Sequence, residues 1–220
     1  MRIVIAGGHG QIAMRLARLL VARGDETVAL VRNPDHVLDV LAAGAHAVLA
    51  DLEHDDAPTL AAHLADADAV VFAAGAGPGS GDARKDSVDR GGAALLADAA
   101  ALAGVNRYVL VSSMGAGAPP PAGTDDAFAA YLVAKTQAED DLRARDLDWT
   151  ILRPGGLTNA TGSGRVRLDA HVPGGRIPRD DVAAVIIALL TSPRTAGLTL
   201  ELVEGDVPVD AAIEAIVGPA

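Results

Sequence analysis

Ile3-Val4-Ile5-Ala6-Gly7-Gly8-His9-Gly10-Gln11-Ile12-Ala13 is the stretch that decides the fold. Four apolar residues of strand character run into a glycine cluster, and the cluster opens a segment of helical period, Ile12 to Ala22. Gly7 permits a tight turn. Gly10 lets an anion approach backbone N–H groups at the positive end of a helix, and the small Ala13 lets helix and strand pack closely. A glycine cluster alone is a weak signal. Placed between a first strand and a first helix, with a second βα unit following, it reads as a dinucleotide-binding turn built from Gly7, Gly8, His9, Gly10, Gln11 and Ile12, with His9 donating to phosphate or to solvent.

Outward from this unit, short apolar runs alternate with longer helical segments. Thr27 to Val31 precedes Asp35 to Ala43, Ala47 to Ala50 precedes a short helix near Pro58 to Leu64, and Ala69 to Ala73 precedes a long helix near Val88 to Ala103. Tyr108 to Val111 then leads to Ala127 to Arg145, and Trp149 to Leu152 forms a sixth strand. Strands without polar alternation are what a parallel sheet covered on both faces requires, so the expectation is a Rossmann-type, doubly wound α/β fold. Gly24, Gly44 and Gly104 fit left-handed helix stops. Between Pro154 and Pro178 the chain is Gly-, Thr- and Arg-rich and is expected to be mostly irregular, with a short strand at Arg165 to Leu168 and with Asp180 and Asp181 capping a helix that ends at Leu190. A last strand, Thr199 to Val203, and a helix, Asp210 to Val217, follow. The reading is one domain over residues 1–220, with 155–178 and 198–220 forming a very small substrate-side lobe. Gly75 to Gly81 reads as a flexible active-site loop.

Composition narrows the functions. A hydrophobic content of 50% with 21% charged residues is globular and excludes disorder. The net charge of -11 repels polyanions, so nucleic acid is not an expected partner. With no cysteine, thiolate catalysis and Cys-based zinc sites are excluded, and the scattered histidines lack ligand spacing, so no metal is expected. The longest apolar run, Val182 to Leu190, is about half of the roughly 20 residues a membrane span needs. Without a recognisable leader the expected location is the cytoplasm.

The remaining chemistry gathers at strand ends. Arg32, closing the second strand, suits a ribose 2'-phosphate where an acidic residue would suit a free hydroxyl, and so favours NADP(H) over NAD(H). Asp51 could accept from the adenine amino group beside Leu52, or cap the following helix. Ala73, Ala74 and Gly75 are small enough for a cofactor to lie against the backbone. The chain has two tyrosines and two lysines, and Tyr131 and Lys135 stand four residues apart on one helix. That spacing aims phenol and ammonium into one cleft, where the ammonium favours phenolate and so proton transfer near neutrality. Lys135 could instead bind ribose beside a merely packed tyrosine. Ser112 and Ser113 close the fifth strand, and Asp89 reads as a helix-start acid or a member of the site.

Together these residues resemble the short-chain dehydrogenase/reductase superfamily, and within it the atypical branch of small NAD(P)H-binding proteins. The resemblance runs along nearly all the chain: Gly7-Gly8-x-Gly10-x-x-Ala13, Arg32, Asp51-Leu52, Val88-Asp89 with Gly92, Val111-Ser112-Ser113, Tyr131 with Lys135, Arg153-Pro154-Gly155, and Arg179-Asp180-Asp181-Val182-Ala183. It implies that Lys135 holds the nicotinamide ribose, Tyr131 exchanges the substrate proton and Ser113 orients a carbonyl, with Ser112 as the fallback. Pro154, Gly155 and Leu157 would border the nicotinamide. Asp89 stands where the superfamily usually has an asparagine, a departure that bears on any proton relay. The few residues after Arg153 suit a small-molecule substrate better than a nucleotide sugar. The expected function is an NADP(H)-dependent oxidoreductase acting on a small carbonyl or conjugated compound, as a monomer or homodimer. The alternatives are a flavin- or biliverdin-type reductase and a non-catalytic NADP(H)-binding redox sensor.

Overall fold

The computed structural model describes residues 1–75, 85–120 and 123–218. The expected loop from Gly75 to Gly81 therefore lies outside the described residues beyond Gly75. Seven strands form the parallel part of one sheet: β1 (Arg2–Ala6), β2 (Glu26–Val31), β3 (His46–Leu49), β4 (Ala69–Phe72), β5 (Arg107–Val111), β6 (Asp148–Pro154) and β10 (Leu198–Glu204). Between the last two lie β7 (Gly156–Thr158), β8 (Arg165–Asp169) and β9 (Arg176–Pro178), and β11 (Val207–Pro208) comes after them. The spatial order is β11-β8-β10-β6-β5-β4-β1-β2-β3, with β8 antiparallel to β10 and β11 antiparallel to β8. The strand order therefore reverses between β1 and β4, and open α/β sheets bind ligands in the crevice at such a switch point.

Helices α1 (Gln11–Ala22), α2 (Val37–Ala42), α3 (Ala57–His63), α4 (Ala93–Ala103), α5 (Asp126–Arg143), α6 (Arg179–Leu190) and α7 (Val209–Val217) cover the sheet. Alternate β1 residues serve two cores. Ile3 and Ile5 pack with the α1 and α6 side, while Val4 and Ala6 pack with Leu60, Leu96 and Leu142 on the opposite side. Both faces are dry, which is why the strands read as unbroken apolar runs. Gly24, Gly44 and Gly104 do adopt positive φ, at 84°, 83° and 72°.

Several local expectations are corrected. The second helix opens as a 3-10 turn, Pro34–His36, because the Asn33 side chain accepts from the Asp35 N–H and Pro34 sets the first turn. The long helix expected from Val88 begins instead as a π-type turn, Lys85–Gly92, in which Asp89 is buried, and becomes α4 only at Ala93. The stretch after Pro154 is less irregular than expected, because β7 and β9 pair in parallel. Asp180 and Asp181 do not cap α6. Its N-cap is Pro178, without a side-chain cap bond. Asp181 accepts from the Ser163 and Gly164 N–H groups at 3.0 and 2.8 Å, and Asp180 accepts from the Gly162 N–H and from Arg15, so both acids hold the 162–164 turn against α6.

Candidate active site

Two adjoining clefts open at the carboxyl ends of the strands. The first, of about 360 Å³, is lined by Gly7, Gly8, His9 and Gly10 from the turn after β1, with Arg32, Asp51 and Leu52 from the ends of β2 and β3. The second, of about 1060 Å³, is lined by Ile12, Asp89, Ser112, Ser113, Tyr131 and Lys135, with Pro154, Gly155 and Leu157 on its far wall. Ala73, Ala74 and Gly75 belong to both. Of the residues read from the sequence as catalytic or cofactor-binding, Gln11 alone lines neither cleft; its carbonyl accepts from Arg15 at 2.9 Å.

The glycine turn is fixed by packing as well as by conformation. Gly7 has φ +75°, and a Cβ there would lie 2.5 Å from the Ala74 Cα; a Cβ on Gly8 would lie 2.5 Å from the Ala29 Cβ. The turn is thus pressed between the ends of β2 and β4, and its glycines present bare backbone to the cleft. Gly10 is the N-cap of α1, no side chain caps it, and the first turn holds no acidic residue. The N–H groups of that turn have the polarity that an anion could meet.

At the outer end of this cleft the Arg32 guanidinium pairs with Glu53, whose other carboxylate oxygen accepts from the Ser87 hydroxyl at 2.7 Å. His9 does not face the cleft alone: its ring stacks on His36 at 3.6 Å and its Nε2 lies 2.8 Å from the Asp39 carboxylate. Asp51 does not cap the following helix, a role taken by Asp56, which accepts from the Thr59 N–H. Its carboxylate instead closes its own turn, accepting from the Glu53 N–H at 3.0 Å and facing His54 at 3.0 Å. Partial burial of Asp51 pushes its pKa up, but these bonds outweigh the burial and hold it below the ordinary value.

The second cleft is organised by one stripe of α5. Tyr131, Lys135 and Glu139 recur at four-residue spacing and so share a helix face. The buried Lys135 ammonium lies 3.0 Å from the buried Asp89 carboxylate, donates to the Val111 carbonyl at 3.3 Å, and sits 5.7 Å from the Tyr131 ring centroid. Phe128 stacks on Tyr131 with centroids 5.8 Å apart. The two serines divide. The Ser113 hydroxyl is only weakly held, by the Met114 carbonyl at 3.3 Å, whereas the Ser112 hydroxyl turns away and donates to Glu139 at 2.6 Å.

Glu139 was not singled out by the sequence reading, although its place four residues past Lys135 was a usable signal. It is fully buried and accepts from Ser112, from both arms of Arg153 and from Arg143 at 2.9 Å. Burial raises its pKa, but the bonds from Arg153 and Ser112 and the charges of Arg153 and Arg143 together overcome that and hold the carboxyl below its ordinary value. The network ties α5 to the ends of β5 and β6, so it fixes the strand ends that carry Ser113 and Pro154. The Arg143 guanidinium also lies over the Trp149 ring, 5.9 Å from its centroid.

Comparison with known proteins shows the family and the fold. The profile of a family described as NAD(P)H-binding matches residues 7–193. YhfK of Bacillus subtilis, named an uncharacterised sugar epimerase, is 38% identical over 215 residues, covering 97% of this chain and 99% of its own. A Bacillus halodurans structure, provisionally named an NAD-dependent epimerase/dehydratase, superposes with a TM-score of 0.90 at 37% identity, covering 98% of this chain and 100% of the other. ChuY, an anaerobillin reductase from Escherichia coli O157:H7, superposes with a TM-score of 0.80 at 27% identity, covering 94% of this chain and 98% of the other. Among the described residues no helix is long and apolar enough to cross a membrane.

Proposed function

The chain belongs to the NAD(P)H-binding family, and from that premise we propose that it is an NADPH-dependent reductase of a small carbonyl or conjugated compound. One observation carries the reading. Tyr131, Lys135 and Ser113 line a single cleft that runs, through Ala73, Ala74 and Gly75, into the glycine turn. The uncapped, acid-free first turn of α1 would suit a diphosphate, Arg32 at the rim of the same cleft would suit a ribose 2'-phosphate, and Lys135 would suit the nicotinamide ribose. When bound, the reduced nicotinamide supplies a hydride.

The chain's own residues supply the rest. The Ser113 hydroxyl, whose present bond is weak, donates to the substrate oxygen and orients it. The Tyr131 hydroxyl delivers the proton to that oxygen. The Lys135 ammonium, fixed by Asp89 and the Val111 carbonyl, balances the charge left on the phenol oxygen. Phe128 stacks on one side of the Tyr131 ring and helps to orient it.

The test is NADPH consumption against a panel of carbonyls and quinones. Tyr131→Phe should lower kcat by about 10²- to 10⁴-fold, the usual worth of a positioned proton donor. Full activity of that variant on a genuine substrate refutes the mechanism. A second reading has support of its own. A cleft of about 1060 Å³ walled by Phe128, Pro154 and Leu157 suits a broad planar acceptor, and ChuY is a reductase of this fold. Flavin reductase activity that survives Tyr131→Phe would favour it.

A further inference from the structure

Arg179, the first residue of α6, lines the larger cleft. Its guanidinium donates to the Asn159 side-chain oxygen at 3.0 Å, and among the described residues no carboxylate lies within ion-pair distance of it. Its neighbour Arg15 differs, being paired with Asp180 at 2.6 Å. Lys135, the other cation of the cleft, is answered by Asp89 at 3.0 Å. Among the described residues that line it, the larger cleft of a chain carrying -11 therefore holds two cations, Lys135 and Arg179, against one carboxylate, Asp89. Partial burial and the nearby Arg15 charge both disfavour that cation, lowering the Arg179 pKa. A guanidinium kept there, beside glycine and apolar walls, gains most from an anion that enters the cleft.

We propose that Arg179 is an anion subsite, which takes a carboxylate carried by the substrate while the reducible group lies at Tyr131 and Ser113. The placement of the reducible group rests on the reductase reading; the anion subsite does not. One guanidinium fork matches one carboxylate, whereas the diphosphate of a dinucleotide has the N–H groups of α1. The expected substrate class is thus a carbonyl or conjugated acid rather than a neutral aldehyde or quinone.

The test uses the full chain saturated with NADP+ and two probes differing in one carboxylate, 6-formyl-2-naphthoic acid and 2-naphthaldehyde, with affinities measured by ligand-observed NMR. The acid should bind about ten-fold or more tightly than the aldehyde, as expected of a charge-assisted pair. Arg179→Gln should erase that advantage and Arg179→Lys should keep part of it, with circular dichroism confirming the fold of each. Equal affinities in the wild-type protein, or no binding of either probe, overturn the proposal. So does an Arg179→Gln variant that loses NADPH affinity by the same factor, since the guanidinium would then serve the cofactor's phosphates. NADPH oxidation with each probe is followed separately. An acid preference that depends on Arg179 without turnover supports the subsite and counts against the reductase reading; turnover with no acid preference does the reverse.

Discussion

Replacing Glu139 by glutamine keeps the shape of the side chain and removes its charge, leaving Arg153 buried against a neutral amide. Glu139 is fully buried and accepts from Ser112, Arg153 and Arg143, so the change strikes the centre of the network. Removing one member of a buried pair costs about 3–5 kcal/mol, chiefly because the other charge is stranded. Against a total stability of about 5–15 kcal/mol this is a large fraction, and in a chain of this length it lowers Tm by roughly 6–20 °C. Arg143 is a third exposed, so Arg143→Met should cost only about 0–1 kcal/mol. The double variant Glu139→Leu with Arg153→Met should be less destabilised than Glu139→Gln alone, because no charge is then stranded. The pH dependence has a definite sign. The folded pKa of Glu139 is depressed, so its contribution is present above the unfolded value of about 4.3 and is lost as pH falls through the folded value. Urea unfolding at pH 7 and at progressively lower pH reads all of this. A loss below about 1 kcal/mol for Glu139→Gln at pH 7, or a gap from wild type that widens on acidification, would refute the reasoning.

Three further outcomes follow from the same geometry. Lys135→Met takes the ammonium away from the buried Asp89 carboxylate and should lower stability in thermal or urea unfolding, with part of the loss recovered when Asp89→Asn is added. Glu53→Gln releases Arg32 from its ion pair and should tighten NADPH several-fold relative to NADH, whereas Arg32→Ala should shrink the preference; fluorescence titration of both nucleotides checks the pair. Gly8→Ala places a methyl 2.5 Å from the Ala29 Cβ, and should abolish nucleotide binding or lower Tm by several degrees, read by the same titration and by a melt.

The sheet was legible because its determinants are local. Apolar runs such as Ile3 to Ala6 and Ala69 to Phe72 are required by a sheet dry on both faces, and the glycine turn after β1 marks where the chain meets the crevice. The Tyr131–Lys135 face was legible for a similar reason, since helical spacing alone puts the two on one stripe. What escaped were pairings between distant segments. Asp181 reads as a helix cap from its position beside the start of α6, yet the carboxylate bonds a turn some 17 or 18 residues earlier. Glu53 has no local reason to restrain Arg32, and nothing near Glu139 in the chain announces Arg153. The π-type turn also left no trace in periodicity, because the inward position of Asp89 is set by Lys135 on another helix.

Trp149 is the chain's one tryptophan, and it sits under the Arg143 guanidinium that reaches Glu139. The molecule therefore carries a built-in optical reporter on β6, the strand whose far end supplies Pro154 to the cleft. Its emission should shift when the buried network loosens and the indole meets more water, and should pass to a reduced nicotinamide by energy transfer when the cleft fills. One indole can then report both the integrity of the scaffold and the occupancy of the cleft, with no label added.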